Sequence, residues 1–121
     1  MARILLADDD AATRDLVRRA LEGDGHAVVA AGDGAEALEH LQGGAAEAFD
    51  LVVTDVQMPA VGGMALAEEA LKLKPGLRIV LMSGYADALA GAARLGAARH
   101  GTITKPFTLD QIRAMVRTTL A

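Results

Sequence analysis

The chain contains no cysteine, which excludes disulfide staples, thiolate zinc sites and cysteine nucleophiles. Aromatic residues make up only 2% of it against 52% hydrophobic residues overall, so a core has to be built from Leu, Val, Ile, Met and Ala. Basic residues are outnumbered 12 to 16, for a formal charge of −4. A nucleic-acid footprint wants a basic face, and this balance argues against one. No apolar run approaches a membrane span, and the opening MARILLADDD, one Arg and then a short apolar run ending in acid, lacks the layout of a signal peptide. The expectation is a soluble cytoplasmic protein with neither nucleic acid nor membrane as partner. What is present is one domain's worth, residues 1–121, enough to close a core unaided.

The chain reads as alternating strands and helices. Apolar runs at 2–7 (ARILLA), 27–31 (AVVAA), 51–54 (LVVT), 77–82 (LRIVLM) and 101–104 (GTIT) suit buried strands. Between them lie helical segments. Residues 11–22 carry Leu16, Val17, Ala20 and Leu21 on one face, with Asp10 as N-cap and Gly23 and Gly25 as the stop. Asp33 and Glu36 form a capping-box pattern ahead of Ala37, Leu38 and Leu41, ended by Gly43-Gly44. Further helices are expected over 64–73, stopped by Lys74-Pro75-Gly76, and over the Ala-rich 86–95. A second capping box, Thr108 with Gln111, opens the last helix, with Leu109, Ile112, Met115, Val116 and Leu120 inward. This is an α/β class pattern, a flavodoxin-like (βα)5 doubly wound sandwich whose parallel five-stranded sheet has the expected order 2-1-3-4-5.

In such sheets, sites form outside the carboxyl ends of the strands, where the order reverses. Asp8, Asp9 and Asp10 follow the first strand, Asp55 the third, Ser83 the fourth and Lys105 the fifth. The first and third strands are neighbours in this order, so Asp8 or Asp9 converges with Asp55. Two carboxylates about 5 Å apart repel by roughly 3 kcal/mol at an effective dielectric near 20. Lys105 alone does not neutralise three of them. A hard divalent cation, most simply Mg²⁺, completes the balance. Carboxylates, a metal, a hydroxyl and a lysine suit phosphoryl transfer, in which positioning and charge neutralisation dominate. The acceptor is then a carboxylate. An Asp just after a strand is also a common helix cap, the reading favoured for Asp10. Ser83 alone fits a turn and Lys105 alone a surface position. Their joint occurrence at four strand ends is what carries the argument.

These residues closely resemble the receiver domain of two-component response regulators. ILLADDD is similar to that family's first strand with its acidic pair, and LVVTDVQMPAVGG to its phosphoacceptor segment. IVLMSGYA is similar to its hydroxyl-bearing strand, and TKPF to its lysine motif. The resemblance implies phosphorelay signalling. Asp55 would accept a phosphoryl group from a histidine kinase or histidine phosphotransfer protein. Asp9 would ligate Mg²⁺ directly, Asp8 would assist through water, and the backbone carbonyl of Gln57 would be a further ligand. Ser83 would hydrogen-bond the phosphoryl group, and Lys105 would pair with Asp55 and then with that group. Pro106 resembles the family's cis proline. The chain would be a switch with only self-phosphorylation and autodephosphorylation, not a dedicated enzyme. It would contact a downstream protein target through helix 4, strand 5 and helix 5, as a monomer or weak dimer. Two departures stand out. The family's usual switch aromatic is replaced by Thr102, and the connection from Gly96 to Lys105 is longer than usual. Tyr85 is a candidate to replace that aromatic; the plainer reading is that it partly covers the site.

His26, His40 and His100 show no ligand pattern and read as surface residues. One rival is a haloacid dehalogenase-type Mg-dependent phosphatase using Asp8, since Asp8-x-Asp10 follows an apolar strand. It wants a second acidic cluster after the lysine, where only Asp110 stands, and a cap domain that does not fit this length. A flavodoxin-like binder of a phosphorylated cofactor fits less well, because three aspartates repel phosphate without a metal. Within the receiver reading the chain is either stand-alone, which its initial Met favours, or a module of a hybrid histidine kinase.

Overall fold

The computed structural model describes all 121 residues. The strands are β1 (Arg3–Ala7), β2 (Ala27–Ala31), β3 (Leu51–Asp55), β4 (Arg78–Ser83) and β5 (His100–Thr104). All neighbours pair in parallel, in the order β2-β1-β3-β4-β5. The helices are α1 (Ala11–Gly23), α2 (Gly34–Leu41), α3 (Gly63–Leu73), α4 (Ala86–Leu89) and α5 (Leu109–Leu120). Short 3₁₀ turns add Ala45–Ala48 and Ala92–Leu95. Fold class and strand order are those expected from the sequence.

The continuous apolar runs explain the sheet's centre. Side chains alternate across it, and β1, β3 and β4 are buried on both faces. Ile4, Leu6, Leu51, Val53, Val80 and Met82 pack with Val17, Ala20 and Leu21 of α1 and Ile112 and Val116 of α5. Leu5, Val52, Ile79 and Leu81 pack with Ala37 and Leu41 of α2 and Leu66, Ala67 and Ala70 of α3. Each such Leu, Ile or Val contributes about 1.5–3 kcal/mol relative to exposure. β2 and β5 lie at the edges and are only partly buried.

Helix starts follow the cap chemistry. Asp10 caps α1 by accepting from the Ala12 amide (3.3 Å) and the Thr13 hydroxyl (2.6 Å). The Thr108–Gln111 box of α5 closes in both directions. At α2, Asp33 accepts from the Glu36 amide, while the Glu36 carboxylate accepts from Gly32, one residue before the cap.

Three expectations need correction. The segment 86–95 is not one helix but a single α-turn and a separate 3₁₀ turn. Gly91 interrupts it, Gly96 ends it at φ 72°, and only Leu89 and Ala92 are buried, so neither propensity nor packing sustains a long helix. Leu16 and Leu109 are 40% and 38% exposed rather than inward, each at the rim of its helix's apolar stripe. His26 is no surface filler: its Nδ1 accepts the Ala2 amide (3.0 Å) at the start of β1.

Candidate functional site

The ladder continues one residue past three strands, and this fixes the site. The Asp8 amide donates to the Ala31 carbonyl (3.2 Å), the Val56 amide to Met82 (2.9 Å) and the Lys105 amide to Ser83 (2.8 Å). Asp55 and Ser83 are themselves the last residues of β3 and β4, one place further into the strands than the sequence pattern put them. Asp8, Asp55 and Ser83 are thereby buried at the sheet's carboxyl edge, with relative exposures of 0%, 6% and 0%, while Asp9 is exposed. Carboxylate oxygens of Asp8, Asp9 and Asp55 lie within 4.8 Å of one another.

The Lys105 ammonium bridges the two buried carboxylates, at 2.9 Å from Asp8 Oδ2 and 3.3 Å from Asp55 Oδ1. Its shorter contact is to Asp8, a partner that the sequence reading did not give it. Asp8 Oδ1 accepts from the Asp10 amide (2.9 Å), and its backbone carbonyl accepts from Arg14 Nη1 (2.8 Å). Burial pushes the Asp55 carboxyl above its ordinary range; Lys105 pulls it back and the Asp8 and Asp9 charges push it further up. For Lys105, burial disfavours the ammonium, but the hydrogen bond to Asp8 and the charges of Asp8 and Asp55 outweigh it and raise its pKa. The Lys105–Pro106 peptide is cis, and Pro106 itself is exposed.

The loop after β3 folds back onto the site. The Gly63 amide donates to the Val56 carbonyl (2.9 Å), bringing the start of α3 against Asp55. A Cβ at Gly63 would stand 2.1 Å from the Asp55 carbonyl oxygen, so only glycine fits. From the same loop the Gln57 side chain reaches the hydroxyl position: Ser83 Oγ donates to Gln57 Oε1 (2.8 Å) and accepts from the Tyr85 amide (3.0 Å). From the sequence only the backbone carbonyl of Gln57 is expected to take part. No local pattern pairs an exposed loop glutamine with a serine 26 residues away. Tyr85 is 70% exposed and turned from the core, and Thr102 is half-buried on β5 opposite Leu81.

Three hard oxygen donors and a lysine at the switch point of a doubly wound parallel sheet define a domain built around a shared negative charge. A family model for the response regulator receiver domain matches residues 4–117, and the chain belongs to that family. Response regulator receiver protein CpdR of Brucella abortus is 40% identical over 112 residues, covering 93% of this chain and 91% of that protein. Sensor kinase CckA of the same organism is 36% identical over 116 residues, which span 96% of this chain but only 12% of the kinase. Response regulator MprA of Mycobacterium leprae is 34% identical, and the chain spans half its length. Among solved structures, chemotaxis response regulator CheY4 of Vibrio cholerae superposes with a TM-score of 0.86 at 26% identity, covering 99% of both chains. Response regulator TrrA of Thermotoga maritima, in complex with Mg²⁺-BeF, superposes at 0.83 with 30% identity, covering 99% of this chain and 100% of the other. Receiver domains are signalling modules and not a dedicated enzyme family. The phosphatase reading falls with this finding. Asp10, the second carboxylate that reading requires, is spent on capping α1.

Proposed function

We propose that this chain is a phosphorelay receiver whose phosphoacceptor is Asp55. The observation that carries the reading is the Lys105 ammonium set 2.9 Å from Asp8 and 3.3 Å from Asp55, within an acidic cluster it does not neutralise. In the transfer, an Asp55 carboxylate oxygen forms the new P–O bond. The bond from phosphorus to the donor's imidazole nitrogen breaks, and its electron pair stays on the donor ring. Lys105 steadies the charge on the acceptor and then on the phosphoryl oxygens, and Ser83 supplies a hydroxyl donor to one of them. Asp8, Asp9, Asp55 and the Gln57 carbonyl would hold Mg²⁺, which when bound draws off charge from the phosphoryl oxygens. The donor set fits that ion: all ligands are oxygens, and the exposure of Asp9 leaves room for water. The Mg²⁺-BeF complex of TrrA supports the same choice.

The donor is proposed to be a histidine kinase or histidine phosphotransfer protein, and the output a protein–protein contact through α4, β5 and α5 in the cytoplasm. No helix is long and apolar enough to cross a membrane. The match to nearly the full length of CpdR supports a single receiver domain over residues 1–121 as the working unit. Incubation with acetyl phosphate and Mg²⁺ is expected to add one phosphoryl group, seen by intact mass, to the wild type and none to Asp55→Ala. An unmodified wild type under those conditions would count against the reading.

A further inference from the structure

The Ser83 hydroxyl has one hydrogen to give, and it is already committed. Its Oγ accepts the Tyr85 amide at 3.0 Å and donates to Gln57 Oε1 at 2.8 Å. Ser83 is completely buried, whereas Gln57 sits on the exposed loop after Asp55 and reaches inward to make this bond. We propose that Gln57 is a positioning residue that latches Ser83 in the unphosphorylated protein, competing with the phosphoryl group for the same hydroxyl hydrogen. The inference rests on the function proposed above, and it adds a residue whose effect opposes modification.

The competition follows from donor counting. A phosphoryl oxygen that draws the Ser83 hydrogen to itself must break the bond to Gln57, because one hydroxyl donates once. The Tyr85 amide keeps its acceptor throughout, so the rearrangement begins at the Gln57 end. Breaking the latch frees Gln57, whose own backbone carbonyl belongs to the proposed metal loop. One residue thus ties the metal-side loop to the start of α4. Net neutral hydrogen bonds shift an equilibrium by about two- to tenfold, the size of the effect to be measured.

Tyr85 supplies the readout, since the chain has one Tyr and no Trp. Intrinsic tyrosine fluorescence, titrated with beryllofluoride at fixed Mg²⁺, reports a binding equilibrium without turnover. Gln57→Met keeps the side chain's length and removes its oxygen acceptor. It is expected to tighten the half-saturation concentration about two- to tenfold. In the Ser83→Ala background, Gln57→Met is expected to change nothing, which a general loosening of the loop would not reproduce. Urea titration of each variant checks that the fold is kept. Saturable binding that Gln57→Met leaves unchanged or weakens would overturn the latch alone. So would a tightening that persists without Ser83. No saturable response in the wild type would overturn the proposed function and the latch with it.

Discussion

Replacing Asp55 by Asn should stabilise the protein when no divalent cation is present. Carboxylate oxygens of Asp8, Asp9 and Asp55 lie within 4.8 Å, and each pair repels by about 3.5 kcal/mol at an effective dielectric near 20. Asp55 takes part in two such repulsions and in one attraction, the 3.3 Å contact to Lys105, worth about 5 kcal/mol on the same scale. The balance favours removing the charge by about 2 kcal/mol, and the exposure of Asp9 screens this to nearer 1 kcal/mol. Burial of the Asp55 carboxylate adds in the same direction. Asn keeps the shape, and Lys105 keeps Asp8. For a domain of this size, about 1 kcal/mol raises the melting midpoint by about 3–5 °C. Circular dichroism melts in EDTA measure it. The pH dependence carries the same sign. The folded state holds the Asp55 proton at pH values where the unfolded chain has lost it. Wild-type stability from this group is therefore present below the ordinary value of 3.8 and is lost as pH rises through the raised folded value. The difference between variant and wild type grows over that window. With Mg²⁺ at about 100 times its Kd the wild type gains about 2.7 kcal/mol, and the variant, lacking one ligand, gains less, so the order reverses. A variant that melts below the wild type in EDTA, or equal lifting of both by Mg²⁺, would refute the reasoning.

Lys105→Met should do the opposite in EDTA. It leaves Asp8, which is wholly buried, without its cation and should cost about 3–5 kcal/mol in urea unfolding, partly restored by Mg²⁺. Gly63→Ala forces a methyl onto the Asp55 carbonyl and should cost about 1–3 kcal/mol or more by the same assay, with slowed acetyl phosphate labelling because Asp55 must shift. Thr108→Ala removes the hydroxyl that accepts the Gln111 amide, one of the two bonds of the α5 capping box, and should cost about 1 kcal/mol, leaving labelling of Asp55 unchanged. Tyr85→Ala should alter phosphorylation-dependent partner capture if Tyr85 stands in for the aromatic absent at Thr102. Normal capture by both Tyr85→Ala and Tyr85→Phe would rule that role out.

The sheet was legible in the sequence because its central strands are unbroken apolar runs, and the caps because Asp10, Thr108 and Gln111 are chemically explicit. The acidic cluster was legible because residues at parallel strand ends must meet. Where the sequence misled, long-range balance decided. The segment after Ser83 is rich in good helix formers, yet it has too little to bury, and Gly91 divides it. The partition of Lys105 between Asp8 and Asp55 depends on side-chain reach over 97 positions, and the bond from Gln57 to Ser83 on loop geometry. Neither leaves a periodic trace.

The backbone bonds that carry Asp8, Asp55 and Lys105 to the sheet's edge use amides and carbonyls, not the side chains that do the chemistry. At Asp9 and Asp55 scaffold and reactivity are therefore separable under mutation. Descendants of such a chain could exchange Asp9 or Asp55 for uncharged residues, give up phosphorylation, and persist as folded docking modules with a fixed output. Where that has happened, the remnant should be recognisable by a glycine still present at the Gly63 position, because the close approach there belongs to the fold and not to the phosphoryl group.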